Sequence, residues 1–141
     1  MRTLGVCVTA LSIVTMLAAT QSYAADKAAA PPVTAELGAD GIQRATVTLD
    51  SYSFNPAHLI VQAGKPVELT LTNVSTVAPH NLIVDDPASG LAVHQEVASG
   101  KSANVMFTPT KPGSFAFYCG KKLLMFPSHR SKGMEGILEV R

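Results

Sequence analysis

From Arg44 to Arg141 the chain is cut into short runs rich in β-branched and aromatic residues, and no segment sustains a helical period. The runs cover residues 45–49, 58–62, 66–73, 80–84, 91–97, 102–107, 114–119 and 136–140. Turn-forming clusters separate them, among them Asn55-Pro56, Ala63-Gly64-Lys65, Asp85-Asp86-Pro87, Ser99-Gly100-Lys101 and Thr110-Lys111-Pro112-Gly113. Punctuation of this kind predicts an all-β sandwich or barrel of seven to eight strands. Alternation then places side chains. Phe115, Phe117 and Cys119 share one face, and two phenylalanines mark it as the core face. His80, Leu82 and Val84 share another, so His80 and Cys119 both point inward at strand ends.

Upstream the pattern differs. No charged residue stands between Arg2 and Asp26, residues 4–19 are largely apolar, and Ser22-Tyr23-Ala24 has the small-x-small form of a cleavage site. These features predict a signal peptide over 1–24, cleaved near Ala24, and hence export to the periplasm. Residues 25–43, rich in Ala, Pro and Gly, read as a flexible leader, and 44–141 as the single domain. Without Arg2 the remaining basic residues equal the ten acidic ones, a balance that speaks against nucleic-acid binding.

Loss of the leader also removes Cys7 and leaves Cys119 as a lone thiol in an oxidising compartment. A single buried cysteine is often inert. This one is followed by His129 and Met134 in the spacing Cys-x9-His-x4-Met, with His80 on a distant strand. Two imidazoles, a thiolate and a thioether form a soft, copper-selective set, and three strong donors with a weak axial Met suit one-electron transfer. Copper would also hold the thiol deprotonated, which burial alone opposes. Met134 lies between Gly133 and Glu135 in a turn, where a ligand fits better than core packing. Met125 is the competing axial candidate. Gly120, Gly133 and Gly136 let the loop turn tightly. His58 and His94 have no partner motif nearby and read as surface or strand-edge residues.

The segments PVELTLTNVSTVAPHNLIVD and GSFAFYCGKKLLMFPSHRSKGMEGILEV resemble the cupredoxins, the small type 1 (blue) copper proteins such as plastocyanin and azurin. The resemblance covers roughly residues 44–141. It implies a Greek-key β-sandwich, one type 1 copper held by His80, Cys119, His129 and Met134, and single-electron transport. Asn81, directly after the first ligand, would hold the ligand loop and hydrogen-bond near the thiolate. Familiar members have a shorter interval between the cysteine and the second histidine. Here nine residues intervene, Gly120 through Ser128, and they are expected to bulge outward beside His129.

Within that interval Leu123, Leu124, Met125 and Phe126 are four consecutive apolar residues. They either close the barrel end or form a docking patch where electrons leave. Lys121, Lys122, Arg130 and Lys132 ring them and could steer the protein toward an acidic redox partner. The expected function is a monomeric periplasmic electron carrier between partner proteins, with no small-molecule substrate and no enzymatic reaction. Copper resistance or delivery through the same ligands is the alternative.

Overall fold

A computed structural model describes residues 30–141. The signal-peptide expectation and the first part of the leader lie outside these residues. The eight expected strands are all present: β3 (Gln43–Asp50), β5 (His58–Val61), β6 (Val67–Asn73), β7 (His80–Asp86), β8 (Leu91–Val97), β9 (Ser102–Phe107), β10 (Gly113–Tyr118) and β11 (Glu135–Val140). Three short ones join them: β1 (Val33–Thr34), β2 (Glu36–Leu37) and β4 (Ser53–Asn55). The eleven strands exceed the seven to eight expected because elements of two or three residues carry no readable alternation. Pairing also begins at Val33, ahead of the expected start at Arg44. Part of the stretch read as leader is therefore tied to the sheets, β1 to β5 and β2 to β3.

The strands form a two-sheet sandwich. One sheet has the order β1-β5-β11-β10-β7-β8; the other runs β2-β3-β6-β9, with β4 on β3. The chain leaves β3 through β4, crosses to β5 in the facing sheet and returns as β6, so β3 and β6 lie parallel. The core follows from alternation. In β6, Val67, Leu69, Leu71 and Asn73 are buried while Glu68, Thr70 and Thr72 face outward. The facing sheet contributes Leu59, Val61, Leu82, Val84, Phe117, Leu138 and Val140. Phe117 meets Phe54 edge to face at 5.0 Å, joining the two sheets.

Two features of this frame aim the site. Buried Asn73 ends β6 and pins the loop that follows. Its Nδ2 donates to the carbonyls of Ala78 (2.9 Å) and Val97 (3.1 Å), and its Oδ1 accepts from Ser75 N–H (3.0 Å). This loop delivers His80 to the start of β7. At the other side, Gly136, expected at the start of the last strand, is the second residue of β11. It pairs with Phe117, whose ring lies over it. A glycine there lets the ring reach the core.

Candidate metal centre

His80 opens β7, and Cys119 stands one residue past the end of β10. Both are essentially without solvent exposure (1% and 0%), as the shared core faces predict. His129 precedes a single 3-10 turn, Arg130–Lys132, which closes on Gly133 in the left-handed region (φ 93°). Three backbone bonds frame the ligand loop. Cys119 N–H donates to Met134 O (3.0 Å), Met134 N–H to His129 O (3.0 Å), and His129 N–H to Lys121 O (2.8 Å).

The last of these bonds explains how a nine-residue interval leaves His129 beside Cys119. Lys121 and His129 form a neck, and residues 122–128 loop out beyond it around a turn closed by Phe126 N–H to Leu123 O (2.9 Å). The extra chain is expelled from the site. Leu124 and Met125 are 81% and 94% exposed, and Leu123 and Phe126 are also exposed. Met125 therefore points away from the donors. Met134 is fully buried in the core cluster that contains Cys119. It packs as core while bonding the Cys119 backbone, so the expectation that its turn suits core packing poorly does not hold.

His80, Cys119 and His129 turn their donor atoms toward one another. The two Nδ1 atoms are 3.1 Å apart; Cys119 Sγ lies 3.8 Å from His80 Nδ1 and 3.5 Å from His129 Nδ1. The point equidistant from the three donors is about 2.0 Å from each, within a few tenths of an ångström of metal–imidazole and metal–thiolate bonds. The donor set thus fits one metal ion, which these three residues would hold, and its softness fits copper. His80 Nε2 is buried without a partner, and Nδ1 is the His80 nitrogen that faces His129 and Cys119.

Electrostatics agree with neutral imidazoles. Burial lowers the pKa of His80, reinforced by His129 and opposed by Asp50. Burial also lowers that of His129, with Lys132 and Lys121 adding repulsion. Burial raises that of Cys119, against the N–H groups of Asn81 and Lys121 and the Lys121 charge, so the thiol ionises at neutral pH only with a cation beside it. Both histidines bind protons less readily folded than unfolded. Their contribution to stability is present above the ordinary imidazole pKa and is lost as pH falls below it. The metal-free protein is therefore expected to lose melting temperature between pH 7.5 and pH 5. Copper affinity should fall over the same range, because protons compete for the same nitrogens. A melting series with and without copper checks both.

Asn81 sits where the sequence predicts. Its N–H donates to Cys119 Sγ (3.4 Å), and its Oδ1 accepts from Gly120 N–H (2.8 Å). Space at Gly120 is tight, since an added Cβ would stand 2.9 Å from Ile83 Cδ1. Two contacts escaped the sequence reading. Tyr52, held at φ 65° between β3 and β4, meets the His129 ring edge-on at 5.0 Å, and Lys132 Nζ bonds its hydroxyl (3.1 Å). Glu96 reaches Asn81 from β8. Neither has a local motif; both become visible only when strand pairing and loop placement are known. His58 pairs with Glu139 and His94 with Glu96, both away from the donor triangle.

The family profile of the cupredoxin-like domain matches residues 8–133. The chain belongs to the cupredoxin-like family. One type 1 copper is the cofactor that this family and this donor set imply. This cupredoxin is 30% identical over 111 residues to the copper-resistant cuproprotein CopI of Rubrivivax gelatinosus; the match covers 67% of this chain and 64% of that relative's length. Among solved structures it resembles the metal-binding domain of the Cu(I)-exporting P-type ATPase CopA of Streptococcus pneumoniae D39. That match has a TM-score of 0.62 and 21% identity, covering 79% of this chain and 96% of that domain. It also resembles auracyanin A of Chloroflexus aurantiacus, with a TM-score of 0.56 and 22% identity over 72% of this chain and all (100%) of that one. At these identities the structural likeness speaks for the cupredoxin sandwich.

Proposed function

We propose that this cupredoxin is a periplasmic electron carrier. His80, Cys119, His129 and Met134 hold one type 1 copper, which supplies a one-electron couple. The protein takes one electron from a reduced partner and passes it to an oxidised one, with no substrate reaction of its own. The observation that carries this reading is the asymmetry of the site. His80, Cys119 and Met134 are sealed in the core, while His129 reaches a half-buried rim surrounded by exposed apolar side chains. Strands and backbone bonds fix the donors, which keeps geometry similar in both oxidation states.

Leu123 and Val77 (86% exposed) line, together with His129, a pocket of about 250 Å³, and the exposed Leu124, Met125 and Phe126 follow Leu123 in the projecting loop. This is the surface we assign to partner docking. Lys121 is drawn into an ion pair with Glu96 and Arg130 into one with Glu135, which leaves Lys122 and Lys132 as the rim cations without an ion pair among the described residues, and Lys132 is held against the Tyr52 hydroxyl. Apolar contact therefore contributes more to docking than charge steering does. Export by a peptide cleaved near Ala24 completes the reading; no helix among the described residues is long and apolar enough to cross a membrane.

Copper resistance is the second reading, favoured by the relative named as a copper-resistant cuproprotein. Voltammetry together with copper retention separates the two. A carrier cycles reversibly between oxidation states and keeps its metal against a Cu(I) chelator through many cycles. Met125→Glu should leave its potential in place and slow electron exchange with a partner about tenfold, the effect of losing one good apolar contact. Loss of the metal on each reduction would assign the protein to copper handling instead.

A further inference from the structure

Asn81 and Glu96 face each other across the β7–β8 ladder. Their side chains meet as well: Asn81 Nδ2 donates to Glu96 Oε1 at 3.1 Å. The second carboxylate oxygen, Oε2, pairs with Lys121 Nζ. His94 Nε2 lies 3.1 Å from Oε1 and 3.3 Å from Asn81 Nδ2. One carboxylate thereby touches both supports of the metal centre. Through Asn81 it reaches the N–H that donates to Cys119 Sγ and the Oδ1 that holds Gly120. Through Lys121 it reaches the neck carbonyl that holds His129 N–H.

The Asn81 amide has one favourable orientation in this setting. Flipping it would set its NH₂ against Gly120 N–H and its oxygen against the Glu96 carboxylate, replacing two attractive contacts by two repulsive ones. The Glu96 side chain is about half exposed, so its ion pair with Lys121 adds little stability in itself. Its value is directional. Burial works against its ionisation, but Lys121, Asn81 and His94 together hold its carboxyl below the usual glutamate range, so it is an acceptor at neutral pH.

We propose that Glu96 is a positioning residue for the copper centre. It locks the Asn81 amide and the Lys121 neck, and through them the hydrogen bond to the Cys119 sulfur. This rests on Cys119 being the copper thiolate. A hydrogen bond to that sulfur withdraws electron density from it and favours the reduced state of the metal. Loosening the clamp therefore lowers the reduction potential. Removing the negative charge of Glu96 acts in the opposite direction, because a nearby anion favours the more positive oxidised state.

Two neutral variants separate these effects. Glu96→Gln loses the charge and keeps an acceptor for Asn81; Glu96→Ala loses both. A purely Coulombic role gives the two the same potential. The clamp predicts that Glu96→Ala lies below Glu96→Gln, by a threefold to tenfold change in the oxidised-to-reduced ratio, tenfold being about 59 mV for one electron. The second readout needs no copper. In the metal-free protein, amide exchange at Gly120 is expected to speed up several-fold in Glu96→Ala and to stay near the wild-type rate in Glu96→Gln. Equal potentials, or equal Gly120 exchange in the two variants, would overturn the proposal. Failure of the ligand assignment reads out separately, as a thiolate-to-copper band that survives Cys119→Ser.

Discussion

Cys119→Ser is expected to weaken copper binding by more than about a hundredfold, beyond the 10–100-fold that follows loss of a supporting partner. The serine hydroxyl stays protonated at neutral pH. A neutral hard oxygen then stands where a soft anion bound, between the two imidazole nitrogens at 3.5 and 3.8 Å from the original sulfur. The metal-free fold should change little. The substitution exchanges one buried atom for another of similar shape, and Asn81 N–H remains beside it, so the cost is about 1 kcal/mol. The clearest readout is the copper-dependent rise in melting temperature. At a hundred times Kd, a ligand stabilises by about 2.7 kcal/mol, which in a domain of this size is a rise of more than about 10 °C. Wild type should show that rise and Cys119→Ser should not. A variant that keeps it places the copper somewhere other than this triangle.

Gly136→Ala is expected to be among the most damaging single methyl additions in the domain. The new Cβ would stand 2.3 Å from Phe117 Cζ and 2.5 Å from the Ala57 carbonyl oxygen. The first could be relieved only by moving a buried ring that packs on Phe54, and the second only by moving backbone that bonds Ile137 N–H (2.8 Å). Overpacking of this kind costs about 3 kcal/mol, a fall in melting temperature of about 10–20 °C. The displacement should also reach the metal centre, since Phe117 and Gly136 are each two residues from Cys119 and Met134, which bond to each other through the backbone. Gly64→Ala is the control: it has a positive φ (74°), which Gly136 lacks, but meets no atom within 4 Å, so it should cost only about 1 kcal/mol. Equal losses at the two positions would mean that the close approach at Gly136 is not what matters.

The fold was legible wherever alternation ran for four or more residues. All eight such strands appear, and His80 at the start of β7 and Cys119 just past the end of β10 both point inward as the period of two requires. The strands of two or three residues were not legible, because so short a run has no period. The candidate donors could be read from residue type and spacing, and so could the projection of the Cys119–His129 loop. The added residues were expected to bulge outward, and they do; the neck from His129 N–H to Lys121 O, which lets them project without moving the imidazole, has no signature in the sequence. Glu96 and Tyr52 were invisible for the opposite reason. Each acts across strands or loops distant in sequence, through contacts that exist only in the folded chain.

The measurement that bears most directly on the metal centre is the visible absorption spectrum of the protein loaded with one equivalent of Cu(II). An intense thiolate-to-copper band is expected, abolished in Cys119→Ser and strongly altered in His129→Ala. A colourless protein at full copper occupancy, or a band that both substitutions leave unchanged, would contradict the assignment of copper to His80, Cys119 and His129.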